Sequence, residues 1–447
     1  MKKTQKVVAG LLSLAMAFSL MACDQGNDNT DYAKKYETEI QQEMKGSFDF
    51  LWQEADTTEG SPTYGLIRDR WPTESDKSSI ASVGFGLAGY VVGVEEGYVT
   101  KAEAEDRTKK LLQTLLALQE NPADKTVTHE GMFAHFIKIG TAERYGGCEI
   151  STIDTALMLG GALTAGEYFG GEIKTLANEI YANVNWKAYE NTKNAKKYLS
   201  MGYDPETEKL LSNWDWYAEQ LIMYVLGAGS PTEEYRLDDK TYYDFTRQEG
   251  TYNGKKFIYS WFGSIFTYQF SHAFINFKGL VDKNGTDWHE NSVQASKAAY
   301  EFCQDRKNVY KSFEAGGWGL TACDTKYGYS GKLGAIPRGW SSSEDPNYSR
   351  IEGTVAPCGA IGSVVFTPKE SLEAMKYYQS LRMLNGKYGL ADAFNLDSDF
   401  YATDYIGIDK GISLLMLANY KSGTIWNNLM KNENIKMGLQ NLSIVTK

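Results

Sequence analysis

The sequence predicts an all-α protein in which an inner ring of helices is wrapped by an outer ring, an α/α barrel. Two observations carry this. Segments that are apolar and rich in small residues alternate with segments charged on one side and apolar on the other, the pattern of buried helices paired with surface helices. No Pro/Gly/Ser-rich linker divides the chain, and no repeat of fixed period marks a helical solenoid.

In chain order, residues 31–55 carry apolar side chains near three-to-four spacing. Residues 78–94 (SSIASVGFGLAGYVVGV) open with serine caps and read as a buried helix. Thr100 caps the next helix, KAEAEDRTKKLLQTLLALQ, and Glu103 completes a capping box. Residues 151–169 (STIDTALMLGGALTAGEYF) are again small and buried, and 172–184 are more polar. Residues 214–226 read as a buried helix and 231–245 as a polar one. Segments 289–305, 368–384, 408–420 and 423–429 continue the series. Residues 316–346 lack helical periodicity, and a loop of that length in a compact enzyme is usually functional.

The first residues bear on the compartment. Lys2, Lys3 and Lys6 precede an apolar run over 7–22, shorter than the roughly 20 residues a spanning helix needs. The run ends in Leu20-Met21-Ala22-Cys23, which resembles a bacterial lipobox. The expectation is a signal peptide over 1–22, an acylated Cys23 opening a polar tether over 23–32, and one catalytic domain over 33–447. The chain is then an exported lipoprotein of the cell envelope, on the periplasmic or outer-surface face. It meets the membrane only through its anchor.

A net charge of −11 argues against nucleic acid as a partner. The 30 Tyr and 10 Trp combine an apolar face with a polar tip, which suits sugar rings, although most of them fill the core. Beyond Cys23, the spacing of Cys148, Cys303, Cys323 and Cys358 forms no CxxC pattern, and they read as free and buried. His129-Glu130 with His135 is not HExxH, because the second His comes six residues on. No metal or cofactor is expected, and the chain is expected to act as a monomer.

Hydrolysis of a glycosidic bond needs one protonated carboxyl to donate to the leaving oxygen and one ionised carboxylate to activate water or attack the sugar. Acids inside apolar, aromatic segments are the candidates, since burial raises a carboxyl pKa. Glu149 and Asp154 lie in CEISTIDTALML, Glu219 in WDWYAEQLIMYVLG and Asp409 in YIGIDKGISLLML, with Asp324 of GGWGLTACD on a loop. Glu219, read as mid-helix among apolar residues, is the preferred general acid. Asp154 and Glu149 lead as the facing base, ahead of Asp409 and Asp324. Arg68, Asp69 and Trp71 of GLIRDRWP, His135, Trp261, His272 and Trp318 form a polar and aromatic layer suited to holding sugar hydroxyls and stacking on rings.

The segments GLIRDRWP, SSIASVGFGLAGYVVGVEEGYVT, CEISTIDTALMLGGAL, YAEQLIMYVLGAGSPT, FTYQFSHAFINFKG, WGLTACD, GTVAPCGAIGSVVFTP, YGLADAFN and YIGIDKGISLLMLANYKSG occur in that order. The set resembles the bacterial glycoamylase-like domain, and within it the endo-β-1,2-glucanases of glycoside hydrolase family 144, over roughly 45–442. The resemblance implies a metal-free (α/α)6 toroid that cuts linear β-1,2-glucan into sophorooligosaccharides with inversion. Glu219 matches the Glu of the family's YNEAMILYxLALGSPT motif, although Ala218 stands where Asn is common. Glu149 and Asp154 match the acids of its ELSTIDTALL motif. Gly146-Gly147, Cys323 and Cys358 depart from the family pattern. Other readings stay open: a glucosidase on other gluco-oligosaccharides, including α-linked ones, a polysaccharide lyase, or a glycan-binding lipoprotein without turnover.

Overall fold

The computed structural model describes residues 31–340 and 352–447. Cys23 and the leader expected before it lie outside the described residues, as does part of the 316–346 loop. The helices are α1 (Tyr32–Lys35), α2 (Glu37–Gln53), α3 (Ile80–Glu95), α4 (Lys101–Glu120), α5 (Thr152–Phe169), α6 (Gly171–Ala182), α7 (Leu221–Ala228), α8 (Asp239–Asp244), α9 (Phe270–Phe274), α10 (Trp288–Gln304), α11 (Pro357–Ile361), α12 (Pro368–Ser380), α13 (Gly407–Ser422), α14 (Thr424–Leu429) and α15 (Glu433–Asn441).

Small residues let α3 and α5 cross with their backbones touching. A Cβ on Gly84 would stand 2.3 Å from the Leu157 carbonyl oxygen, and one on Gly161 would stand 1.9 Å from that of Gly84. Both helices are buried on nearly every face, as are α7 and α13. Helix α4 instead buries Ala104, Thr108, Leu111, Leu115 and Leu118, a single stripe at three-to-four spacing, and packs that face on α6. Each large apolar side chain so buried stabilises the fold by roughly 1.5–3 kcal/mol. The caps match their sequence signals. Ser79 and Ser151 cap α3 and α5, and Thr100 and Glu103 form the capping box of α4.

The all-α expectation omits a set of short strands that tie the loops together. Arg70–Trp71 pairs antiparallel with Tyr405–Ile406, Lys77–Ser79 with Phe136–Lys138, and Ile150–Ser151 with Gly202–Asp204. Three of these strands run directly into buried helices: Ser79 into α3, Ser151 into α5 and Ile406 into α13. The ladders therefore fix the N-terminal ends of those helices relative to one another.

Two helix expectations are corrected. Residues 214–220 are not helical, and α7 begins at Leu221. The buried Gln220 side chain accepts from the Ala218 N–H at 2.6 Å and donates to the Trp216 carbonyl at 2.7 Å. It thus holds the backbone groups that a helix would have paired internally. Likewise 231–245 resolves into a 3-10 turn at Glu233–Tyr235 and the short α8.

Candidate active site

The acids singled out in the sequence gather at one end of the buried helices. Asp154 lies in the first turn of α5 and Asp409 in that of α13, while Glu219 sits just before α7. Glu219 is thus a loop residue at a helix entrance, not mid-helix. Ser271 Oγ on α9 donates to its carbonyl and accepts from the Ile222 N–H at 3.0 Å, pinning the turn that presents the side chain.

Two clefts meet at this residue. One, of about 1190 Å³, is lined by Trp214, Trp216, Trp261, Phe262 and Met201 among others. The other, of about 590 Å³, is lined by charged groups that include Asp69, Arg70, Lys77, His135, Asp154 and Asp324. Glu219, Phe266 and Tyr329 belong to both walls. Burial, with a smaller contribution from the Asp154 charge, pushes the Glu219 carboxyl up to about 7. Among the described residues, no other side chain hydrogen-bonds that carboxyl. It is free to meet a ligand and is substantially protonated near neutral pH.

Across the polar cleft, His135 Nδ1 lies 2.9 Å from Glu149 Oε1 and its Nε2 lies 3.6 Å from Asp154 Oδ1. The hydrogen bond to His135 holds Glu149 below its usual range. Asp154 is pushed up by burial, opposed by His135 and by the Ser151 hydroxyl that donates to it. Asp324, on the strand Cys323–Thr325, faces the same cleft and accepts from Arg70. Asp69 pairs with Lys77 at 3.2 Å. Trp261 stands edge-on to Trp216, with centroids 5.2 Å apart, and remains 37% exposed, an available stacking surface.

Other candidates fall elsewhere. Arg68 points away from both clefts to Glu54, at 2.8 Å. Trp71 packs against Tyr388 and Tyr405 under Lys387. His272 is buried between Phe277 and Phe366 with Nε2 3.0 Å from Ser292 Oγ. Trp318 is fully buried and donates to the Glu370 carbonyl. None of these four lines either cleft. Asp409 turns into the interior beside Asp392 and Cys358, and burial raises both carboxyls. Cys148, Cys303, Cys323 and Cys358 are all free thiols.

Sequence reading missed Arg70, the arginine that does face the cleft. Its Nη1 lies 3.2 Å from both Asp324 Oδ2 and Asp404 Oδ2. It also missed Lys77, Phe266 and Tyr329. The choice between Arg68 and Arg70 is set by the pairing of Arg70 with Ile406, which no local pattern encodes.

The Glycoamylase family model, described as putative glucoamylase, matches residues 212–433, a span that includes Glu219, Asp324 and Asp409. That stretch is similar to a glycoamylase-like domain. An exo β-1,2-glucooligosaccharide sophorohydrolase (non-reducing end) of Parabacteroides distasonis is 25% identical over 480 residues, covering 95% of this chain. The chain spans 61% of the length of that curated relative. The structure of a putative glucoamylase from Bacteroides uniformis has a TM-score of 0.79 at 26% identity, covering 92% of this chain and 98% of that one. The endo-β-1,2-glucanase from Chitinophaga pinensis, in complex with sophorotriose and glucose, has a TM-score of 0.79 at 24% identity. It covers 92% of this chain and 99% of that one, and at this identity the likeness concerns the fold alone. The fold that carries the two clefts thus recurs in an endo-β-1,2-glucanase.

Proposed function

We propose that this chain is a glycoside hydrolase of β-glucans, with linear β-1,2-glucan as its leading substrate and inverting hydrolysis to sophorooligosaccharides as its reaction. The observation that carries this reading is Glu219, a carboxyl pushed up to about 7 at the junction of an aromatic and a charged cleft. A relative that acts on β-1,2-glucooligosaccharides supports the linkage.

In this reading the glucan runs through both clefts with the scissile bond at Glu219. The Glu219 carboxyl gives its proton to the glycosidic oxygen as the C1–O bond breaks. A water on the opposite face of the ring bonds to C1 and loses its proton to a carboxylate, with Asp154 and Glu149 the leading bases. The products are two shorter glucans, one with an inverted anomeric centre. Trp261 and Trp216 stack on sugar rings, and Arg70, Asp69 and Asp324 orient hydroxyls in the charged cleft.

The same proposal covers architecture and location. Buried α3, α5, α7, α9, α11 and α13 are read as the inner ring of an (α/α)6 toroid, forming one catalytic domain over 33–447. The chain is read as an exported lipoprotein acylated at Cys23, which Cys23→Ala release from membranes tests. Incubation with β-1,2-glucan, laminarin and starch, followed by product chromatography, tests the function. Short β-1,2-linked oligosaccharides are expected, and binding without products contradicts turnover.

A further inference from the structure

His135 is the one imidazole in the charged cleft, and it stands between two acids. Its ring lies 3.8 Å from that of Phe136 and nearly parallel to it, which fixes the plane in which its nitrogens point. The strand pairing of Phe136–Lys138 with Lys77–Ser79 holds the backbone beneath. The His135 N–H also donates to the Glu149 carbonyl, at 2.9 Å. Residue 149 is therefore tied to residue 135 through both main chain and side chain.

A neutral imidazole has one N–H and one lone pair. In this geometry it would satisfy one acid and turn its lone pair toward the other. An imidazolium has two N–H donors and suits both. We propose that His135 is a positioning residue, an imidazolium clamped between Glu149 and Asp154 that fixes the Asp154 carboxylate in the cleft it shares with Glu219 and holds Glu149 beside it.

The surrounding charges fit this role. Facing His135 are Glu149 from the loop before α5, Asp154 from α5 and Asp69 from the strand region before α3. Asp69 is already shared with Lys77 and Arg70, at 3.2 and 3.9 Å. Arg144, on the loop before Glu149, is engaged by Glu206 and the Cys148 carbonyl. Glu149 and Asp154 therefore have His135 as their direct cationic partner. Burial works against the charged ring, but the two acids outweigh it and raise His135 to about 9. Removing that cation leaves both acids harder to ionise, whichever of them acts as the base.

This inference rests on the proposed hydrolase reading, and its test separates the two. Proton NMR of the four imidazoles in the native protein should show one ring titrating well above the ordinary histidine range, absent in His135→Gln and shifted down in Glu149→Gln. The acidic limb of the kcat/KM profile on β-1,2-glucan should move up by about one pH unit or more in His135→Gln, with kcat reduced about tenfold. A His135 ring that titrates near its ordinary value, or an unmoved acidic limb with reduced activity, overturns the positioning role. Neither result touches the hydrolase reading, which fails instead if the native protein releases no oligosaccharides.

Discussion

Arg70 Nη1 lies 3.2 Å from Asp324 Oδ2, joining a strand near the start of the chain to the hairpin that forms part of the cleft wall. The same nitrogen lies 3.2 Å from Asp404, which also accepts from the Thr73 hydroxyl. Behind Asp324, its backbone N–H donates to Asp392 at 2.6 Å. One guanidinium thus balances acids that would otherwise repel in a partly dehydrated site. Removing one partner from such a pair leaves the others uncompensated, a loss of roughly 3 kcal/mol. Arg70→Ala should lower unfolding free energy by about that amount in a denaturant titration, and activity should fall with it. A change below about 0.5 kcal/mol, the range of an ordinary surface substitution, would show that the network is not coupled to the fold.

Trp261 lines the aromatic cleft, partly exposed and outside the hydrophobic core. Trp261→Ala should raise KM on glucan about 3- to 10-fold, the worth of one aromatic stacking contact, and leave kcat within about twofold. A large fall in kcat with KM unchanged would assign Trp261 to the chemical step instead.

The buried His272 and its neighbour His289 set an acid-side stability limit. Burial holds His272 well below the ordinary 6.5. Burial, aided by Lys278 and Lys447, pushes His289 down to about 4. Between the folded and unfolded values the unfolded chain binds more protons than the folded one. This contribution to stability is present above about 6.5 and is lost as pH falls toward 4. The raised carboxyls of Asp392 and Asp409 act in the opposite sense, so the test is a difference between variants. The Tm of His289→Gln should fall less than that of the native protein between about pH 7 and 4.5. Parallel curves would exclude the histidine contribution.

Much of the helical framework was legible because it is local. Thr100 and Glu103 announce α4, the serines at 78–79 announce α3, and the runs of small residues mark α3 and α5 as buried. The candidate site was legible at Asp154, an acid in the first turn of α5 that lines the cleft, but not at Asp409, which holds the same place in α13 and turns into the interior. It was misread where a side chain captured the backbone, as Gln220 does before Glu219, and where long-range pairing chose the facing residue, as with Arg70 over Arg68. Composition also misled. His272 and Trp318 look like ligand contacts in sequence, but each finds its hydrogen-bond partner inside the protein.

Glu219 is the centre of the proposed reaction, and its turnover is the most direct test. The carboxyl at about 7 acts when protonated, so activity of the native protein on linear β-1,2-glucan should fall along an alkaline limb near that value. Glu219→Gln keeps the shape and loses the carboxyl proton. The measurement is kcat of both proteins on that glucan, with Tm alongside. Loss of about 10²-fold or more at unchanged Tm is expected. Near-native turnover by Glu219→Gln would remove this residue from the mechanism.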